Sequence, residues 1–181
     1  MATYRQQAWD IALDKYGYIT TGEATEAGIP PGELAKLAGR GRLRNVARGI
    51  YHFDDMPANK FDQFYEAVLR VGKDAFLTGD AVLALHDLAL VSPRRIKVGT
   101  RRRHRRELPP WINMVKTVAQ PSDIVLFEGI PTLKVAQAMR EARNYVMHQR
   151  LLEALPAAQR EGLIAPGEAE ELTKELLGAK P

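Results

Sequence analysis

Between residues 17 and 49 the chain is cut so often by glycine and proline that no long element can form there. Gly17, Gly28, the Pro30-Pro31 pair, Gly39 and Gly49 leave room only for short helices and hairpin strands. Ahead of this stretch, residues 4–16 carry Tyr4, Ala8, Ile11 and Ala12 at helical spacing, flanked by Trp9, Leu13 and Tyr16, which predicts an amphipathic helix stopped by Gly17. Tyr18-Ile19-Thr20 reads as a very short strand. Thr20 and Glu23 then form a capping-box pair, so a helix opens there and Ala27-Gly28 closes it. Ile29 is a lone apolar anchor. Pro30-Pro31 restarts the chain in a first helical turn, and residues 32–38 continue as a helix with Leu34 and Leu37 inward and Gly39 at its end.

Two short helices around a glycine-containing turn, preceded by a longer helix, are the parts of a helix-turn-helix. Residues 43–46 and 50–53 follow as strand-like runs around Ala47-Arg48-Gly49, where Gly49 supplies the positive φ of a tight hairpin. A hairpin directly after the second helix is a wing. The expected exposed residues of the reading helix are Glu33 and Lys36, with Arg40 just beyond it. Arg42, Arg44 and Arg48 are expected at phosphates or the minor groove, and Tyr51 and Phe53 in the core.

The charge distribution points the same way. The chain has 26 Lys and Arg against 22 Asp and Glu, a net charge of +4. Residues 40–53 hold four arginines and no acid, and residues 94–106 hold eight basic residues and no acid. The remainder is therefore acidic, with 14 basic residues against 22 acidic ones. Concentrated arginine suits polyanions, because its planar fork matches phosphate oxygens and guanine edges. Arg101, Arg102, Arg103, Arg105 and Arg106, with His104 among them, form a loop between two predicted strands. They are a second candidate DNA contact, with an acidic protein partner as the rival reading.

Asp54 to Asn59 is a short polar link, so the expected domains are 1–56 and 57–181. Beyond it, residues 61–69 read as a helix, Thr78 as the cap of a helix through Ala81, Leu85 and Leu88, and residues 95–98, 112–118 and 124–127 as strands. Thr132 is read as the cap of the next helix, with further helices over 146–155 and 166–177. The expected class is α+β: an N-terminal winged helix-turn-helix, then a mixed α/β domain ending in helices.

The run YGYITTGEATEAGIPPGELAKLAGRGRLRNVARGIYHF resembles the winged-helix start of AbiEi-type antitoxins of abortive-infection toxin–antitoxin systems. Residues 17–20, 29–34 and 41–51 carry the pattern. Residues 77–88 and 127–142 resemble the helix after the linker and the strand, turn and helix of that family, although Lys134 and Gln137 stand where its helix bears an acid and an arginine. The expected function, joined to this resemblance, is a transcriptional autorepressor that binds operator inverted repeats as two copies. Its partner would be a nucleotidyltransferase-like toxin, whose effect it counteracts.

Catalysis finds no support in the sequence. The four histidines (His52, His86, His104, His148) fall in different predicted elements without metal-binding spacing, and there is no cysteine. Asp123 and Glu128 lack the following Glu-x-Lys of a nuclease site, and neither a phosphate-cradling GxxxxGK[ST] nor a nucleophile elbow is present. The expectation is a cytoplasmic, cofactor-free and metal-free DNA-binding protein rather than an enzyme. The alternatives are a module whose basic surfaces bind an acidic toxin directly and, more remotely, a nuclease.

Overall fold

Thr3 opens the first helix: its hydroxyl accepts the Gln6 amide at 3.2 Å, and α1 runs Tyr4–Leu13. The computed structural model describes residues 3–101 and 107–178. Helix α1 ends earlier than the apolar spacing predicts, because Tyr16 and Gly17 both take positive φ (55° and 80°) and turn the chain back. Ala8 and Ala12 are the buried positions of α1, whereas Tyr4 and Leu13 of the expected stripe are exposed. Strand β1 (Tyr18–Thr20) leads into α2 (Thr21–Glu26). The capping box at that junction is complete: Thr20 Oγ1 accepts the Glu23 amide, and the Glu23 carboxylate accepts the Thr20 amide at 2.8 Å.

Helix α3 (Glu33–Gly39) begins later than expected. Gly32, at φ 83°, is its N-cap, so Pro30 and Pro31 lie in the turn ahead and not in the first helical turn. Strands β2 (Arg44–Ala47) and β3 (Ile50–His52) form the hairpin, with a register shift between Asn45 and Ala47. The sheet order is β1-β3-β2, antiparallel throughout. Ile19, Ile29, Leu34, Leu37, Leu43, Tyr51 and Phe53 meet the α1 alanines in one core, with Trp9 set edge-on to Phe53 at 5.1 Å between ring centres. Two helices inserted between β1 and β2, with β3 returning between those strands, are a winged helix-turn-helix.

The chain divides into the units Met1–Arg70 and Val71–Pro181. The division falls later than the polar link, because α4 (Asp62–Val71) packs on the wing sheet. The Tyr18 hydroxyl donates to Glu66 at 2.7 Å, Arg70 Nε donates to the same carboxylate at 2.6 Å, and Arg70 Nη2 reaches the Val46 carbonyl at 2.6 Å. Burial, then the bond to Glu66, pushes the Tyr18 phenol well above its ordinary pKa. Tyr65 stacks against Tyr16 and Tyr18, at 5.2 and 5.9 Å between ring centres.

The second unit is built on a five-stranded sheet of order β6-β5-β4-β8-β7. Its strands are β4 (Phe76–Leu77), β5 (Ile96–Thr100), β6 (Ile112–Lys116), β7 (Ile124–Phe127) and β8 (Ile130–Leu133). The pairs β5–β6 and β4–β8 are parallel, and β4–β5 and β7–β8 antiparallel. Its helices are α5 (Asp80–Leu85), α6 (Val135–Ala142), α7 (His148–Arg160) and α8 (Pro166–Gly178). Neither threonine caps a helix as expected. The Thr78 hydroxyl donates to Glu141, and Thr132 is buried within β8, where it leaves Lys134 as the N-cap of α6. Strand β8 tolerates Pro131 because β4 is two residues long and pairs with it only at Leu77 and Thr132. Helix α7 continues through Pro156, past the expected stop at residue 155, held by the buried Leu151, Ala154, Leu155 and Ala158. Three of the four glutamates of α8 are met within the unit: Arg140 lies 3.1 Å from Glu175, 3.7 Å from Glu168 and 3.9 Å from Glu171, and Arg143 lies 3.5 Å from Glu175.

Two outcomes follow. Replacing Glu66 by alanine removes the acceptor that Tyr18 and Arg70 share and is expected to cost about 2 kcal/mol, against about 1 kcal/mol for Tyr18→Phe, read by denaturant unfolding. In the second unit, burial lowers the His86 pKa from 6.5 to about 4. The unfolded chain therefore takes up a proton before the folded one does, and stability is expected to fall as pH drops from 6.5 towards 4. His86→Leu, which keeps an apolar contact on Phe127, should flatten that slope.

Candidate nucleic-acid interface

The short α3 buries Leu34 and Leu37 and leaves Ala35, Lys36, Gly39 and Arg40 on its open side. Lys36 is 66% exposed, but Glu33 is only 15% exposed and folds against the Lys36 ammonium at 3.3 Å. Glu33 is thus not the exposed residue the sequence suggested, because it sits one helical turn before the buried Leu37 and shares that side. Lys36 and Arg40 remain the cations of the open face.

The wing follows. Its tip is fixed by Gly49, which has φ 75° and whose carbonyl accepts the Thr21 amide at 3.0 Å, so the hairpin is tied to the start of α2. Arg42 and Arg48 are exposed, and no ion pair engages either among the described residues. Arg44 is exposed too (54%), but it is not free: Nε lies 3.0 and 3.1 Å from the two oxygens of Asp54. His52 Nδ1 meets the same carboxylate at 2.8 Å. Burial acts to raise the Asp54 pKa, but these bonds outweigh it and hold the carboxyl below the usual carboxylate range. Asp54 escaped the sequence reading because it lies in the polar link, where acids are ordinary; its place right after the wing was the available clue.

Beside α3 lies a groove of about 970 Å³ lined by Thr3, Tyr4, Arg5, Gln7, Glu33, Leu37, Arg40 and Arg42. Of this lining, Glu33, Arg40 and Arg42 are expected from the sequence at DNA, whereas Thr3, Tyr4, Arg5 and Gln7 are not. Arg5 is held by Asp55 at 2.8 Å and lies over the Trp9 and Phe53 rings. Of the second basic segment, Arg101 is exposed and has no ion pair among the described residues, and Arg102, Arg103, Arg105 and Arg106 lie outside them.

A second polar cluster of the second unit is turned on itself. The Lys97 ammonium lies 3.0 Å from the Tyr145 ring centre and 3.4 Å from Asp80, and the Tyr145 hydroxyl accepts the Asp80 amide at 3.3 Å. Of the histidines, His86 is buried against Phe127, and His148 Nε2 is 3.0 Å from the Arg143 carbonyl oxygen. Among the described residues no three His, Cys, Asp or Glu side chains are grouped to hold a metal, and no helix is long and apolar enough to cross a membrane.

Residues 7–53 match the family described as "Transcriptional regulator, AbiEi antitoxin". The match runs from within α1 to the residue after β3, so it covers the helix-turn-helix and the wing. It is the same family that the sequence pattern of residues 16–53 resembles. No curated protein matches the chain. Among solved structures, the chain is similar to the RV2827C protein from Mycobacterium tuberculosis, at 16% identity and a TM-score of 0.49, over 100% of this chain and 73% of that one.

The wing's attachment can be tested directly. A Cβ at Gly49 would sit 2.9 Å from Thr21 Oγ1, on a backbone that side chains rarely adopt. Gly49→Ala is expected to cost about 1–2 kcal/mol in thermal or denaturant unfolding, where Arg48→Ala costs almost nothing.

Proposed function

We propose that the winged module binds double-stranded DNA upstream of its own gene and represses transcription, as the antitoxin of a toxin–antitoxin pair. Helix α3 would enter the major groove, with Lys36 and Arg40 towards the bases and nearer phosphates. Arg42 and Arg48 would meet the backbone, and Arg44 would join them when a phosphate displaces Asp54. The observation that carries the reading is a contrast. Arg5, Lys15, Arg70, Lys97, Arg140 and Arg143 are matched by the chain's own carboxylates, whereas Arg40, Arg42 and Arg48, which like several other surface cations have no ion pair among the described residues, cluster around one exposed helix and its hairpin. Uncompensated cations on a helix and its neighbouring β-ribbon suit a polyanion, and binding releases its counterions.

Two copies on an inverted repeat would fit an operator read by a module of this kind. Arg101, with the arginine run that follows it, is proposed as a second backbone contact. The toxin would be the nucleotidyltransferase-like product that the family resemblance implies. The protein would work in the cytoplasm and carry out no chemistry itself.

Fluorescence anisotropy with the duplex upstream of its gene, against a scrambled duplex, tests the reading. Lys36→Ala and Arg40→Ala are expected to narrow the preference for the upstream sequence. Arg48→Ala should weaken both duplexes equally and reduce the salt slope by about 1. An upstream duplex bound no more tightly than the scrambled one, and unaffected by these changes, removes the proposal.

A further inference from the structure

A helix seated in the major groove has a phosphate strand on each flank, because the groove is about 12 Å wide and a helix with its side chains nearly fills it. One flank of α3 is walled by the start of α1, and the groove of about 970 Å³ runs between them. We infer that this groove takes a backbone phosphate of the bound duplex, gripped by Arg40 and Arg42 on one side and by the amino end of α1 on the other. The inference rests on the DNA reading of α3 and extends its footprint to residues outside the helix-turn-helix.

Charge supports it. Four charged side chains line the groove, and two of them are spoken for: Arg5 by Asp55 at 2.8 Å, and Glu33 by Lys36 at 3.3 Å. Arg40 and Arg42 have no ion pair among the described residues, so the groove keeps two uncompensated positive charges. The first turn of α1 contains no acidic residue, although that is where helices favour one. Thr3 caps the Gln6 amide, but no acidic side chain of the first turn meets the positive end of the helix, which keeps its attraction for an anion. Tyr4 and Gln7 add a hydroxyl and an amide, both able to donate to a phosphate oxygen. The groove's chemistry is that of a phosphodiester clamp: two guanidinium groups, a helix amino end and neutral donors, with the lining carboxylate already bound.

Tyr4→Glu and Gln7→Glu test this without endangering the fold, since an acid in the first turn or just after it favours the helix. The unfolding midpoint of each is expected to stay level or rise. Each should weaken the upstream and scrambled duplexes by the same factor, about tenfold at low salt, because a phosphate contact carries no sequence information. Arg42→Ala should lower the salt slope by about 1. If both glutamate variants bind DNA as the parent does while Lys36→Ala still weakens it, the groove lies off the duplex and the reading of α3 stands alone. If Lys36→Ala is also without effect, the DNA reading itself fails. Loss of polyglutamate binding in the glutamate variants, with duplex binding intact, would give the groove to an acidic protein segment instead.

Discussion

Strand β3 lies between β1 and β2, and the geometry of the first unit depends on that placement. Its pairing with β1 fixes the end of α1 and the start of α2. Its pairing with β2 fixes where the hairpin leaves α3. The Gly49 carbonyl, held by the Thr21 amide, then prevents the hairpin from swinging away from the helix pair. On the far side, Glu66 and Arg70 of α4 hold Tyr18 of β1 and the Val46 carbonyl of β2. A three-stranded sheet this small buries little by itself, so these polar ties outweigh what their number suggests. They turn a scatter of arginines in sequence into a set with fixed spacing.

Electrostatically the molecule is two populations of cation. Those that support structure are matched to a carboxylate or lie over a ring: Arg5 on Asp55, Arg70 on Glu66, Lys97 between Asp80 and Tyr145, and Arg140 among three glutamates of α8. The excess acid outside the two basic segments is thus partly consumed within the fold, and α8 has an ordinary structural use for its charge. Of the cations without an ion pair among the described residues, Arg40, Arg42 and Arg48 gather around α3 and the wing, while others, Arg101 and Lys134 among them, belong to the second unit. Net charge alone hides this, because +4 averages over both populations.

The first unit was legible because its boundaries are chemical. Thr20 and Glu23 announce a helix start through a reciprocal bond, and Gly49 announces a hairpin through its φ; both signals are local and survive without knowledge of the fold. The second unit resisted for the opposite reason. Strand β4 is two residues long and exists only because β5 and β8 flank it. Strand β8 contains Pro131, which reads as a break until its neighbour proves too short to need that amide. Thr78 and Thr132 look like caps, yet one bonds Glu141 across the unit and the other is enclosed in a strand. Of the site, the arginines were legible as types but not in their partners. Position alone hinted that Arg44 has Asp54, right after the wing, and that Glu33 shares the side of Leu37; nothing in the sequence tells that α1 comes alongside α3.

The bond between Arg44 and Asp54 bears on how such a module would search a genome. A guanidinium already satisfied by a carboxylate gains little from a passing phosphate, since one charge-assisted bond is exchanged for another. On arbitrary sequence the wing would therefore offer less attraction than its arginine content implies, and residence there would be short. If the module binds DNA as proposed, the exchange would become worthwhile only where α3 is also engaged, and Asp54 would then sharpen the contrast between operator and bulk chromosome by weakening the second more than the first.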